Sequence, residues 1–185
     1  MGYTHYFTPK TVTDDKWKEF VDTCKKLHKN LPSKTDTAGG YFEDDDLVIC
    51  GGQGRDEPKF DLDGIWFNGN ESKNLDHETF SIERERHNWN FCKTARKPYD
   101  LLVVACLIAA NEILGYDVSS DGEWEEWKAG IKLYMETIYS DGPDKDGMKC
   151  ILPEFIFNDE DGTKYDNFEN KYNIMDYIDS LFVVK

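Results

Sequence analysis

Long apolar runs are missing from this chain of 185 residues. The longest, Leu101 to Ala110, is about half of the roughly 20 residues a helix needs to cross a bilayer, and it reads as a buried helix. Basic residues are also scarce: 22 lysines and arginines face 37 aspartates and glutamates, a net charge of −15. A field of that sign repels nucleic acid and the anionic face of a membrane, which argues against both as partners. The five cysteines, Cys24, Cys50, Cys92, Cys106 and Cys150, are odd in number and contain no C-x-x-C pair. That pattern argues against a disulfide framework and for reduced thiols in a cytoplasm. No H-E-x-x-H and no closely spaced Cys/His pair is present, so no metal is expected. Gly51-Gly52-Gln53-Gly54 leads into Arg55-Asp56-Glu57-Pro58 rather than an apolar helix. It matches neither phosphate-loop nor dinucleotide fingerprints, and no cofactor is expected. The start, Met1 to Tyr6, lacks the basic and apolar regions of a signal peptide, so the expected location is cytoplasmic.

Against these absences, hydrophobic residues make up 39% and aromatic residues 14% of the chain, a globular composition. The length suits one domain over 1–185. Residues 111–185 carry eighteen acids against seven bases, and 140–185 read as an acidic C-terminal extension. Residues 2–7 read as a strand. Thr13 then caps a helix over 14–29, with Asp14 and Asp15 in its first turn and Trp17, Phe20, Val21, Cys24 and Leu27 at helical spacing. Short strands are expected at 47–50, 64–68, 77–82 and 88–92, as an antiparallel meander. Pro98 opens an all-round apolar helix over about 98–114, the central buried one, stopped by Gly115. A strand near 116–119, an amphipathic helix over about 122–139, a strand at 151–157 and a short helix near 174–181 complete the reading. The fold class is α+β, with helices packed on a mostly antiparallel sheet.

Three groups of residues are candidates for a site. From Arg84 to Lys97, five basic residues (Arg84, Arg86, Lys93, Arg96, Lys97) face one acid, Glu85, a local charge of +4 in an acidic chain. Lys93, Thr94, Arg96 and Lys97 stand ahead of the buried helix, where backbone N–H groups and the helix dipole favour an anion. Tyr99 or Trp124 would stack on such a ligand and Ser120 would donate to it. The plainer reading pairs these cations with the chain's own acids. His77 and Glu78, with His5, form the second group and offer acid–base chemistry if their strands are neighbours. Third, Ser119-Ser120-Asp121-Gly122 either presents donors to a ligand or simply caps the next helix. Cys92, beside Lys93, is the thiol whose pKa a neighbour could lower, but a packed strand residue is the reading preferred for it.

Taken together, Met1 to Tyr6, His77 to Phe80, Phe91 to Asp100 and Ser119 to Gly122 resemble a family of short uncharacterised proteins of tailed phages and some bacteria. The resemblance runs from residue 1 to roughly 138 and implies a phage context without an activity. Three functions are compatible with these readings. The first is binding of a phosphorylated small molecule, most plausibly a nucleotide or cyclic nucleotide-like signal, as a phage counter-defence protein. Next comes an acidic inhibitor that covers a basic surface of a host protein. Last is a metal-independent hydrolase of a nucleotide-type ligand, with His77 or His5 as base, Glu78 orienting it and Arg96 stabilising charge.

Overall fold

The structure, a computed structural model, describes residues 3–34 and 47–139 and the short strand at 156–157. Helix α1 (Asp14–Lys29) begins where expected: the Thr13 hydroxyl accepts from the Lys16 N–H at 3.4 Å, and two aspartates occupy the first turn. Trp17, Phe20, Val21, Cys24 and Leu27 form its buried face. Helix α2 (Asp100–Leu114) is buried without interruption from Asp100 to Asn111 and lies at the centre of the core. It starts two residues later than Pro98, because Pro98 and Tyr99 form a turn whose carbonyls accept from Leu101 and Leu102. Gly115 ends it in the left-handed region at φ 68° and returns its N–H to the Asn111 carbonyl. Helix α3 (Trp124–Ile138) is opened by a capping box between Glu123 and Glu126. It crosses α2 at Gly130, where a Cβ would lie 2.4 Å from a Val104 methyl.

The strands form two sheets, not one meander. In the first, β1 (Thr4–Thr8) lies between β5 (Asn90–Lys93) and β6 (Asp117–Ser120), antiparallel to both, and β7 (Ile156–Phe157) runs parallel to β6 at the edge. The second is the antiparallel sheet of β2 (Lys59–Asp61), β3 (Gly64–Phe67) and β4 (Phe80–Glu83). The architecture is α+β.

Two strand expectations need correction. The segment at 47–50 makes only a bridge between Cys50 and Asn68. Residues His77 and Glu78 precede β4 and belong to no strand. Their place follows from Lys93, whose carbonyl accepts from the Glu78 N–H and whose N–H donates to the Glu78 carboxylate. The side chain therefore stands in for a strand partner. The helix expected near 174–181 and most of the strand expected at 151–157 lie outside the described residues. No helix among the described residues is long and apolar enough to cross a membrane.

Candidate functional site

Side chains alternate across a strand, so Tyr3, His5 and Phe7 share the inner face of the first sheet. Register places Cys92 on one side of His5 and Ser120 on the other. Helix α2 covers this face, and its first residue is Asp100. The result is a buried chain of three side chains drawn from β1, α2 and β6. His5 Nε2 lies 2.7 Å from an Asp100 carboxylate oxygen, and His5 Nδ1 lies 2.9 Å from Ser120 Oγ. His5 is 0%, Ser120 1% and Asp100 7% exposed. A carboxylate only accepts, so with a neutral imidazole the ring proton resides on Nε2. Nδ1 is then left to accept the Ser120 hydroxyl proton. Ser120 Oγ also accepts from the Gly122 N–H at 2.9 Å, which fixes the hydroxyl against the turn before α3. The Tyr3 and Trp127 rings meet the imidazole edge-on at 4.9 and 5.5 Å and hold its plane.

Two hydroxyls beside this chain, Tyr3 Oη and Thr94 Oγ1, are buried without a well-formed hydrogen bond, Tyr3 Oη having only a weak interaction with the Ser120 side chain. Orphaned buried hydroxyls are costly, and they mark a place where a further partner belongs. Burial, followed by the charges of Asp100 and Glu126, pushes the Tyr3 phenol well above its ordinary value, against the opposing effects of Arg96 and Ser120. The phenol therefore remains a donor at neutral pH. Gly122 is required for its position, since a Cβ there would lie 2.6 Å from Tyr3 Oη. Arg96 roofs the cluster: its guanidinium lies 4.3 Å over the Tyr3 ring and pairs with Glu126. Burial opposes the charge of Arg96, but the Glu126 hydrogen bond together with the charges of Glu126, Tyr3 and Asp100 outweighs it and raises its pKa. Ala95 and Arg96 both adopt left-handed backbone, at φ 50° and 57°, a strain of about 1–3 kcal/mol each for residues with a Cβ.

The structure brings His5, Thr94, Arg96 and Ser120 together and separates the other candidates. Lys93 extends on the opposite face of the sheet, with Nζ 5.7 Å over the Phe91 ring. Lys97 Nζ donates to the Asn74 carbonyl at 2.6 Å. Arg84 pairs with Asp14 and Arg86 with Glu83. The basic island is thus dispersed, and it forms no common anion cradle. The first N–H groups of α2 are also engaged, bonded to the carbonyls of Lys97, Pro98 and Tyr99. Tyr99 is a core residue rather than a stacking platform: it is 0% exposed and donates to the Glu78 carbonyl at 2.7 Å. Trp124 opens α3, and its side chain lies outside the described residues. His77 is exposed, with Nδ1 2.7 Å from the Lys93 carbonyl, and neither it nor Glu78 is hydrogen-bonded to His5. Burial, then Asp100 and Glu78, raises the Cys92 thiol pKa, the opposite of activation.

Asp100 had no role in the sequence reading, Gly122 stood there only as part of the Ser119–Gly122 turn, and Tyr3 only as one of several aromatic residues. For Asp100 a signal existed: it is the only acid in the first three turns of a helix apolar on all sides, and such a group needs a buried partner. No family model, curated protein or solved structure matches the chain.

Proposed function

We propose that the protein is a hydrolase of a small ester that works by covalent catalysis at Ser120. The observation that supports this is the order of donors and acceptors, Ser120 Oγ to His5 Nδ1 and His5 Nε2 to Asp100, within one water-poor cluster. In this reading the Ser120 proton passes to His5 Nδ1 as Oγ bonds the electrophilic carbon. Asp100 holds the imidazole in orientation and stabilises the imidazolium. The Tyr3 hydroxyl, protonated beside Ser120 and held by no well-formed hydrogen bond, donates to the oxyanion that develops. The imidazolium then protonates the leaving alcohol, and water, deprotonated by the same nitrogen, cleaves the acyl-serine. Burial of the nucleophile restricts the substrate to a small molecule, and access requires the paired Arg96 and Glu126 side chains to move aside.

A second reading is favoured by the Tyr3 and Thr94 hydroxyls, neither with a well-formed hydrogen bond, next to Arg96, which covers the Tyr3 ring and whose side chain is 40% exposed. They would hold a small phosphorylated molecule without altering it. In a phage context this amounts to sequestering a nucleotide-like signal. The same experiment tests both readings. The protein is incubated with short-chain acyl esters and with mono-, di- and cyclic nucleotides, its melting temperature is recorded, and the recovered compounds are chromatographed. Product formed by the wild type and abolished in Ser120→Ala supports the hydrolase. A raised melting temperature, lost in Arg96→Ala, with the compound recovered intact supports sequestration. Absence of both overturns the site as a small-molecule centre.

A further inference from the structure

The opposite face of the same sheet carries an aromatic surface. Tyr6 follows His5 and points the other way, lying across from Phe91 on β5 and Ser119 on β6. Trp89 stacks on Tyr6 at 5.9 Å and 19°, and meets Phe91 at 5.4 Å and 39°. Trp89 is 54% and Phe91 39% exposed, so two rings lie open beside the half-buried Tyr6, on a sheet whose other face is core. Ring faces are electronegative, and this surface already takes a cation, since Lys93 Nζ rests over Phe91. At its β6 side stand exposed carboxylates: Asp121, which accepts from the Tyr6 hydroxyl at 3.3 Å, and Asp117, paired with Lys10. The whole chain carries a net charge of −15.

We infer that this face docks a basic segment of another protein, with an arginine side chain laid on the Trp89 and Phe91 rings and its neighbours drawn to the Asp117 and Asp121 edge. Tryptophan, tyrosine and arginine are the residues that dominate protein interfaces. A single-stranded nucleic acid also stacks on aromatic platforms, but it needs a cationic groove to follow its backbone; here Lys10 is already paired with Asp117, and the charge of the chain as a whole, −15, is of the wrong sign. This surface stands independently of the relay on the inner face.

The test uses the full-length chain in isothermal titration calorimetry. Its probes are a synthetic peptide of alternating arginine and glycine, the matching glutamate–glycine peptide, oligo-thymidylate and a neutral oligosaccharide. Circular dichroism and melting temperature check the fold of each variant. The expected result is binding of the arginine peptide alone, weakened about tenfold or more by Trp89→Ala and by Phe91→Ala and largely kept by Trp89→Phe. Equal affinity in Trp89→Ala and the wild type would show attraction by the general acidity and overturn the docking face. So would preferential binding of the oligosaccharide, the nucleic acid or the acidic peptide, and so would no binding of the arginine peptide.

Discussion

Replacing Gly122 by alanine isolates the packing that sets the candidate site. The backbone there is outside the left-handed region, so alanine meets no conformational penalty. By reducing the freedom of the unfolded chain, the change alone would stabilise by about 0.4–1 kcal/mol. The native neighbours decide otherwise. The added Cβ would lie 2.6 Å from Tyr3 Oη, 2.7 Å from Cε2 and 2.9 Å from Cζ, and the Tyr3 ring, 1% exposed, has no solvent to move into. Overpacking costs about 1–3 kcal/mol, and three contacts inside 3.0 Å with a buried ring put this site in the upper half of that range, so the net loss is about 1–2.6 kcal/mol. For a chain of this length that is a fall of roughly 2–10 °C in melting temperature, measurable by calorimetry. Adding Tyr3→Phe removes the nearest atom but leaves the two ring carbons, so the double variant recovers only part of the loss. A melting temperature for Gly122→Ala within about 1 °C of the wild type would refute the placement of Tyr3 against the turn.

Tyr3→Phe alone removes a buried hydroxyl that lacks a well-formed hydrogen bond, so urea melts should show unchanged or slightly higher stability, whereas ester turnover should fall about 10²-fold or more. A parallel loss of both would mean that the hydroxyl has a structural partner. Alkali should destabilise the fold early. Burial raises the Cys24 and Cys92 thiols and the Tyr3, Tyr99, Tyr116 and Tyr134 phenols above their ordinary values. The native state then keeps protons that the unfolded chain releases, so stability is complete below the unfolded values and declines as pH rises above them. Denaturant melts should lose about 2.7 kcal/mol per pH unit above roughly pH 8.5 from the two thiols, and more steeply above about pH 10 as the phenols join. A flat profile from pH 8 to 11 would contradict their burial.

Local patterns were enough to place the three helices. Thr13 with Asp14 and Asp15, the unbroken apolar run after Leu101, and the spacing of Trp127, Ile131 and Met135 carry their own periodicity. Strand pairing was less accessible, because β1 finds its partners about 85 and 115 residues away, and no local pattern encodes such contacts. For that reason His5 and Ser120 were both visible as candidates while their meeting was not. The basic island misled in the opposite way. Lys93, Arg96 and Lys97 are close in sequence, but strand alternation and the left-handed turn at Ala95 and Arg96 send them to three different surroundings. Adjacency along the chain then says little about convergence in space. The stretch from His77 to Phe80 misled for a related reason, because the Glu78 side chain bonds the Lys93 backbone instead of extending β4.

The central claim is that Ser120 is a nucleophile activated by His5. It is tested most directly by treating the protein with a small fluorophosphonate and locating the adduct by mass spectrometry. The account predicts one adduct per chain, on Ser120, lost in Ser120→Ala and slowed strongly in His5→Gln, with both variants retaining their helical circular dichroism. Absence of an adduct on Ser120, or labelling at the same rate in His5→Gln, would contradict it.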